Sequence, residues 1–336
     1  MKLQKIKNMI KRIKSKVYAF CFWQTRCGEL LNKFYDLHLF YKFAFEDTHS
    51  LDEENMRASL IKEYHIIEKG MALPVPRCGF GKTKIPNLIG KAKIYEEKYG
   101  DSDSLIQSIK ESLAEYLDFN KNMGENLETS YYQSIQLYVA GVHKSSLGGT
   151  KVMKKKNIEK AIQIDYKQFI EQRVSVRDFS SEEIAKDEII EAINIAKIAP
   201  SVCNRQSWKA HIYFNKGEIE TLLKYQHGNA GFGYNIKALI LVTTDIKAFT
   251  KLESNQVFVD GGIFSMSMIL ALHAVGLGSC AMNTCIPYVD EKKIKGLGNI
   301  PENERLIMML GVGKLKNEFK VPISHKKESD QIVLFH

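Results

Sequence analysis

No Cys-x-x-Cys pair occurs in this chain of 336 residues, and its six cysteines, Cys21, Cys27, Cys78, Cys203, Cys280 and Cys285, are widely spread. That spacing excludes a small disulfide-stapled domain and points to a reducing, cytoplasmic setting. The chain also lacks zinc-finger spacing, an aromatic RNA-binding signature and a basic region followed by heptads. The net charge of +9 therefore does not announce a nucleic-acid partner. Much of the excess sits at the start and in Lys154-Lys155-Lys156, where solvated lysines explain it. A secretory signal is missing too, because the apolar run Val17 to Trp23 is short, bulky and followed by no small-residue cleavage site.

Ready-made nucleotide motifs fail on context. Gly79-Phe80-Gly81-Lys82-Thr83 resembles the tail of a phosphate-binding loop, but Pro76 stands where a glycine is needed. No apolar strand precedes it, and Pro86 falls where the loop's helix should run. The loop between the probable strands 210–214 and 238–243 has no strict Gly-x-Gly-x-x-Gly and precedes a strand rather than a helix, which excludes a Rossmann site. No Ser-His-Asp set, carboxylate pair or metal cluster emerges, so neither a catalytic side chain nor a metal ligand is assigned.

What is present is long enough for one large or two ordinary domains, with 44% hydrophobic and 26% charged residues, the proportions of a globular protein. Lys2, Lys5, Lys7, Lys11, Arg12, Lys14 and Lys16 interleave with Ile6, Met9, Ile10, Ile13 and Val17 at helical spacing. This basic amphipathic segment either packs on its own domain or lets residues 1–20 touch an anionic membrane peripherally. From about Gly28 to Asn122 the chain reads mostly helical, with Gly70 expected to close a helix in the left-handed conformation. His65 and Glu68 read as a helical surface pair. Turn formers and lysines between Gly141 and Lys156 mark a boundary, which divides the chain into residues 1–150 and 160–336.

In the second part, Arg173-Val174-Ser175-Val176-Arg177-Asp178-Phe179 alternates polar residues along one side of an extended segment. A helix capped by Asp187 comes next, with Ile189, Ile190, Ile193 and Ala196 at helical spacing, and Pro200 ends it. Ser201, Asn204 and Gln206 are then released in a loop before Trp208. Guanidinium forks, hydroxyls and amides in this pattern suit a planar, heteroatom-rich ligand carrying a phosphate. Strands are expected at 210–214, 238–243 and 306–313, and a helix near 218–225. Gly261 to Met282 is apolar enough to span a membrane by length. Asp260 and its glycines fit instead a capped helix buried against a second subunit, with His273 a satisfied interior histidine. Gly276 to Asn283 reads as a flexible turn, and Ile332-Val333-Leu334-Phe335 as a strand for a neighbour's sheet. Cys203 and Trp208 read as packing residues.

Taken together, Arg173-x-Ser175-x-Arg177-x-Phe179, Pro200-Ser201-x-x-Asn204-x-Gln206-x-Trp208 and Gly276-Leu277-Gly278, in that order, resemble the nitroreductase family of flavin enzymes over roughly Ile164 to His336. The resemblance implies an α+β fold, a mixed sheet flanked by helices, with the mostly helical N-terminal region outside it. It implies FMN at a homodimer interface, reduced by NAD(P)H, with a small conjugated electron acceptor of nitroaromatic or quinone type. Arg173 and Ser175 match positions contacting the FMN phosphate and ribityl chain, Val174 between them counts with the cofactor-binding residues, and Arg177 matches a cationic position near N1 and O2. Pro200, Ser201, Val202 and Asn204 match the partner's loop bordering the ring, with Gln206 close by. Ala281, Met282, Asn283 and Thr284 match the segment near N5. His325 or Lys326 stands where the family often places phosphate-binding cations, and Ser207 replaces a common proline. Two other readings stay open: a specialised oxidation, dehalogenation or flavin-cleaving reaction on the same fold, and a non-catalytic dimerisation module.

Overall fold

The structure, a computed structural model, describes residues 25–45, 52–157, 163–322, 324 and 326–336. The basic segment 1–20 and His325 lie outside these residues. Five helices come first: α1 (Arg26–Phe43), α2 (Glu53–Met71), α3 (Lys84–Tyr99), α4 (Ser104–Asn122) and α5 (Ser130–Tyr138). Side-chain caps start three of them, Thr25 for α1, Asp52 for α2 and Asp103 for α4, each oxygen accepting a first-turn N–H that the helix itself leaves unpaired. Leu60, Ile67, Ile85, Tyr95, Ile109 and Tyr116 meet in one core shared by α2 to α5.

One glycine and one proline expectation change here. α2 runs through Gly70 to Met71, and Gly70 is needed because Phe80's ring occupies the space of a Cβ. α3 starts directly after the glycine turn with Pro86 in its first turn, a place where proline loses no needed hydrogen bond. Pro86 therefore does not argue against a helix there. Gly79 and Gly81 do take positive φ, 63° and 80°.

The boundary segment is tied down rather than loose. Glu111, buried on α4, accepts from the amides of Ser145, Leu147 and Gly148 at 2.7, 2.9 and 3.1 Å. Glu68 takes the Gly149 amide at 2.9 Å and the Ser112 hydroxyl at 3.0 Å. Burial pushes the Glu111 carboxyl up, but hydrogen bonds from the side chains of Ser145 and Gln107 and from the amides of Gly148 and Ser145 outweigh it and bring it down to about 2. Glu68 is thus a staple, and its approach to His65, 3.6 Å, is incidental to that task.

The second half contains α6 (Tyr166–Gln172), α7 (Lys186–Ala196), β1 (Trp208–Tyr213), α8 (Lys216–Leu223), β2 (Ala238–Asp245), α9 (Gln256–Ala274), β3 (Leu277–Asn283), α10 (Tyr288–Leu297) and β4 (Glu304–Lys314). The four strands pair antiparallel in the order β1-β2-β4-β3, and a parallel bridge joins Ser175 to Ser279 on the outer edge of β3. An α+β sheet flanked by helices is what was expected. β2 is buried along its whole length because both faces are covered. On one face α7 and α9 supply Ile189, Ala192, Phe264, Met268 and Leu272; on the other lie Val176, Phe179, Leu222, Phe232 and Ile294.

The flexible turn expected from Gly276 to Asn283 is corrected by the fold. Only Gly276 turns, at φ 79°, and Leu277 to Asn283 form β3. The apolar stretch is two elements, since α9 ends at Ala274. α9 is the one described helix long and apolar enough to cross a membrane by length and composition, yet its inner face packs on the sheet. Trp208 stacks on Phe264 at 4.9 Å and 7°. His273 donates to the Phe169 carbonyl at 3.0 Å, the satisfied histidine expected.

Candidate functional site

The 173–179 segment is set by its anchors. Val176 is buried and its amide donates to the Ser279 carbonyl at 2.9 Å. Phe179 is buried under β4, and Ser180 N donates to Lys314 O at 2.9 Å. With residues 176 and 179 turned inward, Arg173, Ser175 and Arg177 keep the outer side. Arg173, Val174, Leu277, Gly278, Ser279 and Phe319 line a small cleft at the edge of β3.

Arg177 is exposed, and its guanidinium carbon lies 6.0 Å from the Phe232 ring centre. Its neighbour Asp178 faces away, to Lys316 at 2.6 Å. The hydrogen bond of the Arg177 fork is a long one, 3.5 Å, to the Ser175 carbonyl. Its charge therefore has no carboxylate partner among the described residues, and it reaches β3: burial pushes the Cys280 thiol up while Arg177 pulls it down.

From β3, Ala281 and Asn283 are exposed, whereas Met282 is buried and packs in the core. Alternation along a strand imposes this, so Met282 offers only its backbone to a ligand. The Thr284 hydroxyl donates to Ile307 O at 3.0 Å and is likewise spent inside. A residue that pattern reading missed, buried Gln226, donates to Asn283 O at 3.2 Å and caps Gly228 N at 2.6 Å.

The loop after Pro200 forms a second, separate group. Cys203, Asn204 and Gln206 take positive φ of 49°, 54° and 49°, a conformation costly for non-glycine residues. Ser201 Oγ accepts the Gln206 amide at 2.9 Å, and buried Asp260 accepts the Val202 amide at 3.2 Å. Asp260 lies inside α9, whose N-cap is Asn255, so it holds the loop instead of capping the helix. Arg205 is fully buried and clasped bidentately by Glu253, at 2.8 and 2.7 Å. Outward remain Pro200, Asn204 and Gln206, the last two linked at 3.3 Å.

Among the described residues no hydrogen bond joins this loop to the 173–177 segment. The N-cap of α7 between them is Ala185, not Asp187: the Glu188 side chain accepts the Ala185 amide at 2.8 Å, a cap supplied from inside the helix. Ile190, expected in the core, is 53% exposed, and so are Phe258 (47%), Val259 (49%) and Met266 (45%) on α9. Lys326 lies exposed beyond β4. Ile332 to Phe335 pair with no strand among the described residues and stay exposed. A wider cleft lined by Lys33, Asp36, Phe40, Phe258 and Arg305 opens between α1 and the start of α9; none of the expected site residues lines it. No group of three or more potential metal-holding side chains occurs among the described residues.

Residues 170–230 and 214–314 match the family model described as Nitroreductase family. Over these residues, under half of the chain, the protein is similar to the nitroreductase family. A curated relative from Archaeoglobus fulgidus, named for NADH dehydrogenase/NAD(P)H nitroreductase activity, is 28% identical over 152 residues, 44% of this chain and 83% of that protein. Similar solved structures include an FMN-dependent nitroreductase from Clostridium difficile R20291, 22% identical, spanning 50% of this chain and 96% of that one at a TM-score of 0.42. Another, a nitroreductase from Desulfovibrio desulfuricans in complex with FMN, is 18% identical and spans 52% and 98% at 0.45. The nitroreductase domain is assigned from the family model and the curated relative, and α1 to α5 fall outside the family match.

Proposed function

We propose that the protein is an FMN-dependent oxidoreductase that passes hydride from NAD(P)H to a small conjugated acceptor of nitroaromatic or quinone type, working as a homodimer. The observation that carries the reading is the Arg173–Arg177 edge, where half-buried Arg173 lines the cleft beside β3, Arg177 is exposed, and Asp178 is engaged elsewhere by Lys316. A donor set of this kind suits a phosphate at one end and an electron-rich heterocycle edge at the other, so the residues present fit FMN.

Bound FMN would supply the hydride-carrying chemistry, and the protein supplies position, electrostatics and shielding. Arg173 and Ser175 would hold the phosphate and ribityl chain, with Lys326 or His325 as the additional cation. Arg177 would stabilise negative charge developing near N1 and O2 by a charge-assisted hydrogen bond, worth about 1.5–3 kcal/mol. Ala281 and Asn283 would border the N5 side, together with the backbone of Met282 and Thr284. The outward apolar residues Ile190, Phe258, Val259 and Met266 suit an isologous contact that brings Pro200, Asn204 and Gln206 of a second copy to the same ring. Five described cysteines are free, which suits a reducing cytoplasm.

Purified protein tests the proposal directly. A yellow preparation with flavin absorption, bleached by NADH or NADPH and reoxidised by a quinone, is expected. Yellow protein unreactive to both nicotinamides would replace the hydride reading with a specialised flavin reaction. Colourless protein that does not take up added FMN would end the flavin reading altogether.

A further inference from the structure

α1 to α5 lie outside the family match, and the reading above leaves them without a task. α1 meets the second half through Asn32 with Tyr288, Asp36 with Arg305 and Lys42 with Glu302, while α2 and the chain before it grip one short stretch, residues 246–250. Asn55, almost fully buried at the start of α2, donates through Nδ2 to the Lys247 carbonyl at 2.7 Å and to Phe43 O at 3.3 Å. Asp52 pairs with Lys247 Nζ at 2.6 Å. Phe45 donates its amide to Phe249 O at 3.0 Å and bridges Thr250.

The same stretch holds the clamp on the 201–206 loop. Ala248 O accepts from Arg205 Nη1 at 2.7 Å, and the Arg205 guanidinium lies 5.4 Å from the Phe249 ring centre. Thr250 donates its amide and hydroxyl to Glu253 at 2.8 and 2.9 Å, and Glu253 clasps Arg205. Arg205 Nε in turn reaches Val202 O at 3.2 Å. Val202 packs on a core built from Tyr35, Leu39, Phe45 and Ala58 of the first half with Ile246 and Phe249 of the second. The loop's three positive-φ residues persist only where surroundings over-determine them, and part of those surroundings comes from α1, α2 and the chain between them.

We propose that the N-terminal helical half is a positioning element for the cofactor loop: through Asn55, Asp52 and Phe45 it holds residues 247–250, and through them the Arg205 clamp that presents Asn204 and Gln206. This rests on the reading that the loop borders a flavin. Asn55 and Lys247 are positioning residues that touch no ligand. Their removal loosens the loop while α2 to α5 keep their own core.

Amide hydrogen exchange on the full-length, flavin-free protein tests the coupling, with FMN affinity and the visible circular dichroism of bound FMN as second readouts. Asn55→Ala and Lys247→Met are compared with Lys110→Met, which breaks an ion pair to Glu96 (2.6 Å) remote from residues 247–250. The expected result is about tenfold faster exchange over residues 201–208 in the first two and no change in the third. Weaker FMN binding by a similar factor and an altered flavin dichroism band accompany it, and Lys247→Arg restores both. Unchanged exchange at 201–208 in folded Lys247→Met and Asn55→Ala overturns the proposal. Faster exchange with unaltered FMN affinity supports the coupling and overturns instead the flavin assignment of the loop. Should Asn55→Ala not fold, Lys247→Met with Lys247→Arg decides alone.

Discussion

A Cβ on Gly313 of β4 would overlap the ring of Phe179, the residue that anchors the arginine-bearing segment from below. Gly313→Ala therefore forces that ring out of a packed site, at a cost of about 1–3 kcal/mol. A lower melting temperature is expected, together with weaker FMN retention because Arg177 is two residues from the displaced ring. Gly296→Ala, exposed on α10 with nothing near its Cβ, should instead raise stability by roughly 0.5–1 kcal/mol. Thermal melts of the two variants side by side check both signs.

The Arg205–Glu253 pair gives the protein an acid-sensitive joint. Burial alone would raise the Glu253 carboxyl, but Arg205 and Thr250 outweigh it and bring it down to about 2. Its folded value is thus depressed, so its contribution is full above the ordinary value of 4.5 and is lost as pH falls from there toward 2. Glu253→Gln should melt lower than wild type at pH 7, and the gap should close toward pH 2. Glu111 and Glu304, likewise depressed to about 2, lose stability in the same window in both proteins, so the difference between the melts is the quantity to read. A gap that stays constant with pH would show that Glu253 is not held as a carboxylate.

Replacing Arg177 by Ala should weaken FMN binding and lower the flavin potential by tens of millivolts, the equivalent of one charge-assisted hydrogen bond. Potentiometry and FMN titration check this. An unchanged potential would remove Arg177 from the ring.

On the outward face of α9, Met266→Lys should leave the monomer folded and prevent association. Light scattering during size exclusion reads the mass, and absorbance reads the flavin. A dimer of normal mass would place the contact elsewhere.

Much of the nitroreductase domain was legible because its signals are local. The continuous apolar run around Ile240 means a strand covered on both faces, and polar alternation from Arg173 to Arg177 means an extended edge. Other features were not legible. Leu277 to Asn283 reads as a turn from its glycines, yet pairing with β4 makes it a strand, since tertiary hydrogen bonding overrides weak local preference. Asp187 and Asp260 both look like helix caps. Glu188 takes the first role, and distant Val202 recruits Asp260. Arg205 looks like one more loop cation, and nothing adjacent in sequence shows that Glu253 buries it.

By itself the sequence determined most of the helical and extended segments, residues 277–283 excepted, and which side chains can meet an anion, because periodicity and side-chain chemistry act over a few residues. Tertiary structure alone decided that no described carboxylate pairs with Arg177 while Arg205 is clamped, and that the first half grips the stretch behind the loop after Pro200. Those outcomes depend on which groups the folded chain brings within hydrogen-bond distance across tens to hundreds of residues, and no local pattern encodes that distance.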